Sequence, residues 1–163
     1  FIDTIRELWW DVRPHHNFGT VEVRMCDMPG NLDDTLALSA LIHCLVKALS
    51  DDIDQGAYQH DCHPMLVRQN KWRAARFGNG AQMVDAFTYE VQSLEQVVEV
   101  LVDRLRPTAD NLGCTEYLER CRDMAAGPTW ADRQLALAEE TGSLQEMVRR
   151  LTQQSRITPI HSQ

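Results

Sequence analysis

The chain lacks any long apolar run: none of its hydrophobic stretches approaches the roughly 18 to 20 residues that a membrane span requires. Nor does any stretch show the charged, apolar, small-residue order of a secretory leader. Basic charge is scarce, with 16 lysines and arginines against 24 acids in 163 residues and a formal net charge of −8; the isoelectric point lies near 5.1. Proteins that coat nucleic acid need a basic field to displace counterions from phosphates, so that class is excluded and any basic site must be local. The five cysteines, Cys26, Cys44, Cys62, Cys114 and Cys121, are odd in number and lack CxxC spacing, which fits reduced thiols better than a disulfide frame. His60, Cys62 and His63 crowd together in "HDCHP". A structural zinc site needs four ligands, usually as two pairs, and no second pair follows. Internal repeats and low-complexity tracts are absent. The reading is a soluble, cytoplasmic protein that binds neither nucleic acid nor membrane.

What is present is ordinary globular composition, 44% hydrophobic and 25% charged, enough for one domain with a core. The first residue is Phe1, and "FIDTIRELWW" begins in mid-helical pattern with no cap before it. The expectation is therefore a single partial domain over residues 1–163 whose N-terminal part is missing.

Ile2, Ile5, Leu8 and Trp9 recur at helical spacing, and Arg13-Pro14 should stop that helix. A turn around Gly19 leads into a strand, Thr20 to Cys26. Asn31 or Asp33 caps the next helix, whose apolar residues fall on nearly every side and predict burial between layers. Asp51, Asp52 and Asp54 read as a solvated loop. Later helices are expected at Pro64–Phe77, from Ser93 with Gln96 as a capping box through Leu105, from Pro107 to about Gly113, and at Thr115–Ala126, Thr129–Glu140 and Ser143–Gln154. Phe87 to Gln92 is a candidate short strand.

Two constellations could carry chemistry. Side chains alternate along a strand, so Glu22 and Arg24 project from one face about 7 Å apart, while Val21, Val23 and Met25 face the other way, toward a core. A carboxylate there suits a hard divalent cation, and an arginine beside it suits phosphate or a substrate carboxylate; the alternative is an ion pair on a solvated sheet face. The second is "RQNKWRAARFG", in which Arg68, Lys71, Arg73 and Arg76 have no acid among them. Wound as a helix, Arg68, Lys71, Trp72 and Arg76 span about 140° of arc. That face could line the pocket of an anionic ligand, or be solvated with Trp72 at its boundary. His15-His16 follows a proline in a turn and reads as structural.

With "WWDVRPHHNFGTVEVRMCD" at 9–27, "NKWRAARFG" at 70–78 and "LRPTADNLG" at 105–113 in this order, the sequence resembles the bacterial carboxylate-amine ligases related to the second type of glutamate-cysteine ligase, and looks like the C-terminal part of a member. The resemblance implies an α+β chain: the end of a glutamine-synthetase-like antiparallel sheet domain, here one main strand followed by a mostly helical run. It implies an ATP-dependent ligase that phosphorylates the glutamate side-chain carboxylate and joins it to an amine such as that of cysteine, with Mg2+ or Mn2+. By a Glu-x-Arg strand of the related glutamine synthetase, Glu22 would bind metal and Arg24 would hold an anion, with Arg13 nearby for phosphate. Lys71, Arg73 and Arg76 are candidates for nucleotide binding on their charge alone. The resemblance assigns no amine acceptor, and association with further copies of the chain is left open. A different class of reading is a noncatalytic helical interaction or regulatory fragment; ATP binding with Mg2+ separates the two.

Overall fold

Alternation and turn chemistry build the first element. Val12–His15 (β1) and Thr20–Val23 (β2) pair antiparallel in the register Val12 with Val23, Arg13 with Glu22, Pro14 with Val21 and His15 with Thr20. The connection closes with the Phe18 amide donating to the His15 carbonyl at 3.2 Å, and Gly19 takes φ +60°, a conformation that a side chain disfavours. These elements, and all that follow, come from a computed structural model that describes residues 3–4, 7–57 and 62–155. Of the helix expected over Ile2–Trp9, Ile2 and Ile5 lie outside those residues, and Leu8 and Trp9 are not helical. The single strand expected at Thr20–Cys26 is shorter and has a local partner, because Pro14 ends no helix here but sits in β1.

The chain continues through helices Leu32–Asp54 (α1) and Pro64–Phe77 (α2), a 3-10 turn at Gly78–Gly80, strands Gln82–Val84 (β3) and Val91–Ser93 (β4), and helices Leu94–Leu112 (α3), Thr115–Ala126 (α4), Trp130–Thr141 (α5) and Leu144–Gln154 (α6). Among the described residues the architecture is thus α+β and mostly helical, with two small two-stranded antiparallel sheets. The core lies where α1, α3 and α4 meet: Ala37 and Cys44 from α1, Val102, Leu105 and Ala109 from α3, and Leu118 and Cys121 from α4. Burying a leucine side chain stabilises by roughly 1.5–3 kcal/mol, so Leu105 and Leu118 anchor the bundle, and the small residues between them let the helices approach.

Three expectations are corrected. α1 buries one stripe, not all sides: Val46, Leu49 and Ile53 remain exposed, since α3 and α4 both pack on the Ala37–Cys44 side. The acidic run belongs to the last turn of α1, where Asp51 pairs with Lys47 and Asp52 lies 3.5 Å from Arg104. α3 runs unbroken through Pro107. That proline lacks the N–H that would meet the Asp103 carbonyl, but it stands on the exposed side, and burial of Val102, Leu105 and Ala109 on the opposite stripe holds the helix through it.

A buried carboxylate fastens the bundle's end. Asp34, 3% exposed, accepts from Arg120 Nε at 2.8 Å on Oδ1 and from the Trp130 indole N–H at 2.8 Å on Oδ2. Its amide donates to the Asn31 side chain at 2.7 Å, which caps α1. Gly30 faces the Trp130 ring so closely that a Cβ there would lie 2.3 Å from it. One acid thereby ties together the starts of α1 and α5 and the middle of α4.

Candidate functional site

The β1–β2 hairpin carries the charged residues that the sequence singles out. Because Arg13 and Glu22 are register partners, their side chains share a face. Arg13 Nε donates to Glu22 Oε2 at 2.9 Å, and a terminal guanidinium nitrogen of Arg13 reaches the same oxygen. Arg24 Nε lies 3.6 Å from the other oxygen, Oε1. Two guanidinium groups thus converge on one carboxylate. The Arg13 side chain is 14% exposed and that of Glu22 45%, so the arginine is sheltered and the acid opens to solvent. Trp9 lies beneath Arg24, with 5.6 Å from the guanidinium carbon to the ring centroid, a cation–π contact.

The opposite face departs from expectation. Val21 is 51% and Met25 55% exposed: among the described residues no core covers the apolar side of this hairpin.

α2 forms over the expected residues, with Pro64 in its first turn and the His63 ring accepting from the Met65 amide at 3.2 Å. His63 is therefore a helix cap; His60 lies outside the described residues. Among those residues no group of three or more histidine, cysteine, aspartate or glutamate side chains could hold a metal ion. Arg68, Lys71 and Arg76 of α2 are exposed and Arg73 is half-buried, not occluded together as a pocket lining would require, and the cations have separate surroundings. Lys71 Nζ reaches both Asp11 oxygens at 2.5 and 2.7 Å. Arg73 donates to the Gln82 carbonyl at 3.0 Å. Arg76 lies over the Phe77 ring at 5.4 Å. Arg68 forms no ion pair among the described residues. Trp72 meets Phe77 edge-on at 5.8 Å and stays 55% exposed.

Asp11 and Asn70 escaped the sequence reading. Asp11 extends the hairpin, its carbonyl accepting from the Arg24 amide at 2.8 Å; alternation from Arg13 back to Asp11 was the available signal, masked by the assumption of a helix. Asn70 grips Val84 of β3 twice, donating to its carbonyl at 2.8 Å and accepting from its amide at 2.9 Å. Its place beside Lys71 in "NKWRAARFG" was the only hint.

Chemically, two guanidinium groups meeting one carboxylate could hold an anion in its place, since arginine forks match phosphate and carboxylate oxygens. Glu22 also fits one ligand position of Mg2+, which is bound in nucleotide sites through one or two carboxylates plus substrate phosphates.

Comparison with known proteins gives this face its setting. The model of glutamate-cysteine ligase family 2 (GCS2) matches residues 1–150, and the chain belongs to that family. A "Putative glutamate--cysteine ligase 2" of Gloeobacter violaceus is 36% identical over 147 residues, covering 90% of this chain and 40% of that protein. One of the same name from Leifsonia xyli is 39% identical over 151 residues, 92% of this chain and 40% of its own. A "Putative glutamate--cysteine ligase 2-1" of Frankia casuarinae is 44% identical over 117 residues, 72% of this chain and 31% of its own. The chain spans about 40% of the length of the first two relatives.

Proposed function

We propose that this chain forms the C-terminal part of an ATP-dependent carboxylate-amine ligase of the glutamate-cysteine ligase type, acting in the cytoplasm on a glutamine-synthetase-like sheet of which the β1–β2 hairpin is one segment. The observation that carries the reading is the convergence of Arg13 and Arg24 on Glu22 across one hairpin face. In the reaction, the side-chain carboxylate of glutamate takes the terminal phosphoryl group of ATP, ADP leaves, and an amine such as that of cysteine displaces phosphate to form the amide. Every reacting partner before the amine is an anion. Arginines fixed before the substrates arrive lower the repulsion between them without any proton transfer.

Arg13 and Arg24 would hold phosphate or carboxylate oxygens, their forks exchanging Glu22 for the ligand. Glu22, so released, would give one carboxylate to Mg2+ or Mn2+, whose chemistry is to neutralise phosphate charge. Arg76, which like Arg68 forms no ion pair among the described residues, would be the α2 cation of the motif to meet a nucleotide; Lys71 and Arg73 are engaged by Asp11 and Gln82.

The test uses the full-length enzyme. Glu22→Gln should abolish metal-dependent ATP turnover with the fold retained, and Arg24→Lys should fail as well, since a point charge does not replace a planar fork. Turnover like that of the wild type in Glu22→Gln would sink the metal role. A second reading, a noncatalytic interaction fragment, draws on the exposed Val21 of the hairpin and Leu144 and Val148 of α6. Binding of ATP with Mg2+ to the full-length protein would decide against it, and its absence would favour it.

A further inference from the structure

Asp11 and Arg24 are neighbours across the hairpin. The register places Val12 beside Val23, so the next pair outward is Asp11 with Arg24, joined by the Arg24 amide and the Asp11 carbonyl at 2.8 Å. Their side chains emerge on the face that carries Arg13 and Glu22. An aspartate opposite an arginine on one face is a ready-made ion pair, and it would draw Arg24 away from Glu22 and from any anion arriving there. The Asp11 carboxylate turns elsewhere, to Lys71 of α2, whose ammonium reaches both of its oxygens.

The helix that carries Lys71 is braced on both sides of it. The residue before it, Asn70, grips the amide and carbonyl of Val84, and Arg73 two positions on donates to Gln82, so α2 is fastened to β3 on either side of the lysine. β3 is fixed in turn by its pairing with β4 and by the Leu94 amide donating to the Ala81 carbonyl at 3.1 Å, at the start of α3. The ammonium therefore stands on a braced helix.

We propose that Lys71 is a positioning residue that keeps the Asp11 carboxylate off Arg24, leaving that guanidinium available to the anionic substrate. This rests on the proposed ligase reading, and it gives Lys71 an effect through Asp11 and Arg24 with no contact to the ligand. Without the lysine, Asp11 becomes a competitor of the substrate for Arg24. Cross-strand charge pairs contribute about 0.2–1 kcal/mol, so the KM for the anion held by Arg24 rises by up to about fivefold, while kcat changes less.

The decisive comparison is Lys71→Met against Lys71→Met/Asp11→Asn in the full-length enzyme. KM values for ATP and for glutamate are measured alongside the NMR signal of the Arg24 Nε–H group. In Lys71→Met, one KM rises and the Arg24 signal shifts; in the double variant both return toward wild type, because removing the carboxylate removes the competitor. A KM defect that persists undiminished in the double variant would mean that Lys71 itself meets the ligand, and an Arg24 signal unmoved by Lys71→Met would show that Asp11 never competes. Either result overturns the proposal. Absence of glutamate-dependent ATP turnover in the wild type would instead remove the ligase reading, and the Arg24 signal would still decide the role of Lys71.

Discussion

Replacing Asp34 by asparagine tests whether one buried acid fastens α1, α4 and α5. The site presents two donors to the carboxylate, Arg120 on Oδ1 and the Trp130 indole on Oδ2, each at 2.8 Å. Asparagine keeps the shape but offers one acceptor and one donor, so whichever way the amide turns, an N–H faces an N–H. The change removes a charge-assisted bond, about 1.5–3 kcal/mol, and leaves a donor unmatched at a position 3% exposed, about 1–3 kcal/mol more. The Arg120 side chain is 36% exposed, and water recovers part of its share, so the net loss should be about 3 kcal/mol. With a urea dependence of about 2 kcal/mol/M, the unfolding midpoint falls by about 1.5 M. Trp130→Phe removes the second donor, and in the double variant the losses should overlap by about 1 kcal/mol or more. A midpoint shift corresponding to less than about 0.5 kcal/mol, or strict additivity with Trp130→Phe, would refute the argument.

Gly30→Ala should destabilise by about 1–3 kcal/mol, because its Cβ would lie 2.3 Å from the Trp130 ring and α5 must shift to admit it; an unchanged Tm would show that the contact yields freely. In α6, the hydrogen bond from Arg149 and a further one from Arg150 hold the Glu146 carboxyl well below its ordinary 4.5, down to about 2. A folded value below the unfolded one means that this group's stabilisation is fully present above about pH 4.5 and is lost as pH falls toward 2. A carbon NMR titration should place the Glu146 midpoint well under 4.5, and a midpoint at the ordinary value would show the arginines disengaged in solution.

Where local chemistry decides, the sequence was informative. α2 begins and ends as expected because Pro64 and Gly78 act within a turn of themselves, and the Ser93–Gln96 capping box is formed in both directions. The common face of Glu22 and Arg24 followed from alternation alone. What failed depended on distant partners. Pro107 breaks no helix because α1 and α4 clamp the opposite stripe, and β1 was hidden because "DVRP" resembles a helix end until Glu22 is placed across from Arg13. The link from Lys71 to Asp11 joins residues 60 apart in the chain, which no spacing rule reaches.

The thiols of the core make the molecule its own clock for unfolding. Burial, first, pushes both Cys44 and Cys121 up to about 11, with the neighbouring Cys114 adding to the effect on Cys44. At neutral pH such a thiol is ionised about once in ten thousand molecules, and the thiolate is the form that alkylating reagents attack. Cys26 is exposed and Cys62 partly so, and both should be consumed early by a small iodoacetamide-type reagent. Cys44 reacts only once α1 separates from α3 and α4. Its labelling rate, read peptide by peptide, therefore reports how often the bundle stands open, through a thiol the chain already carries.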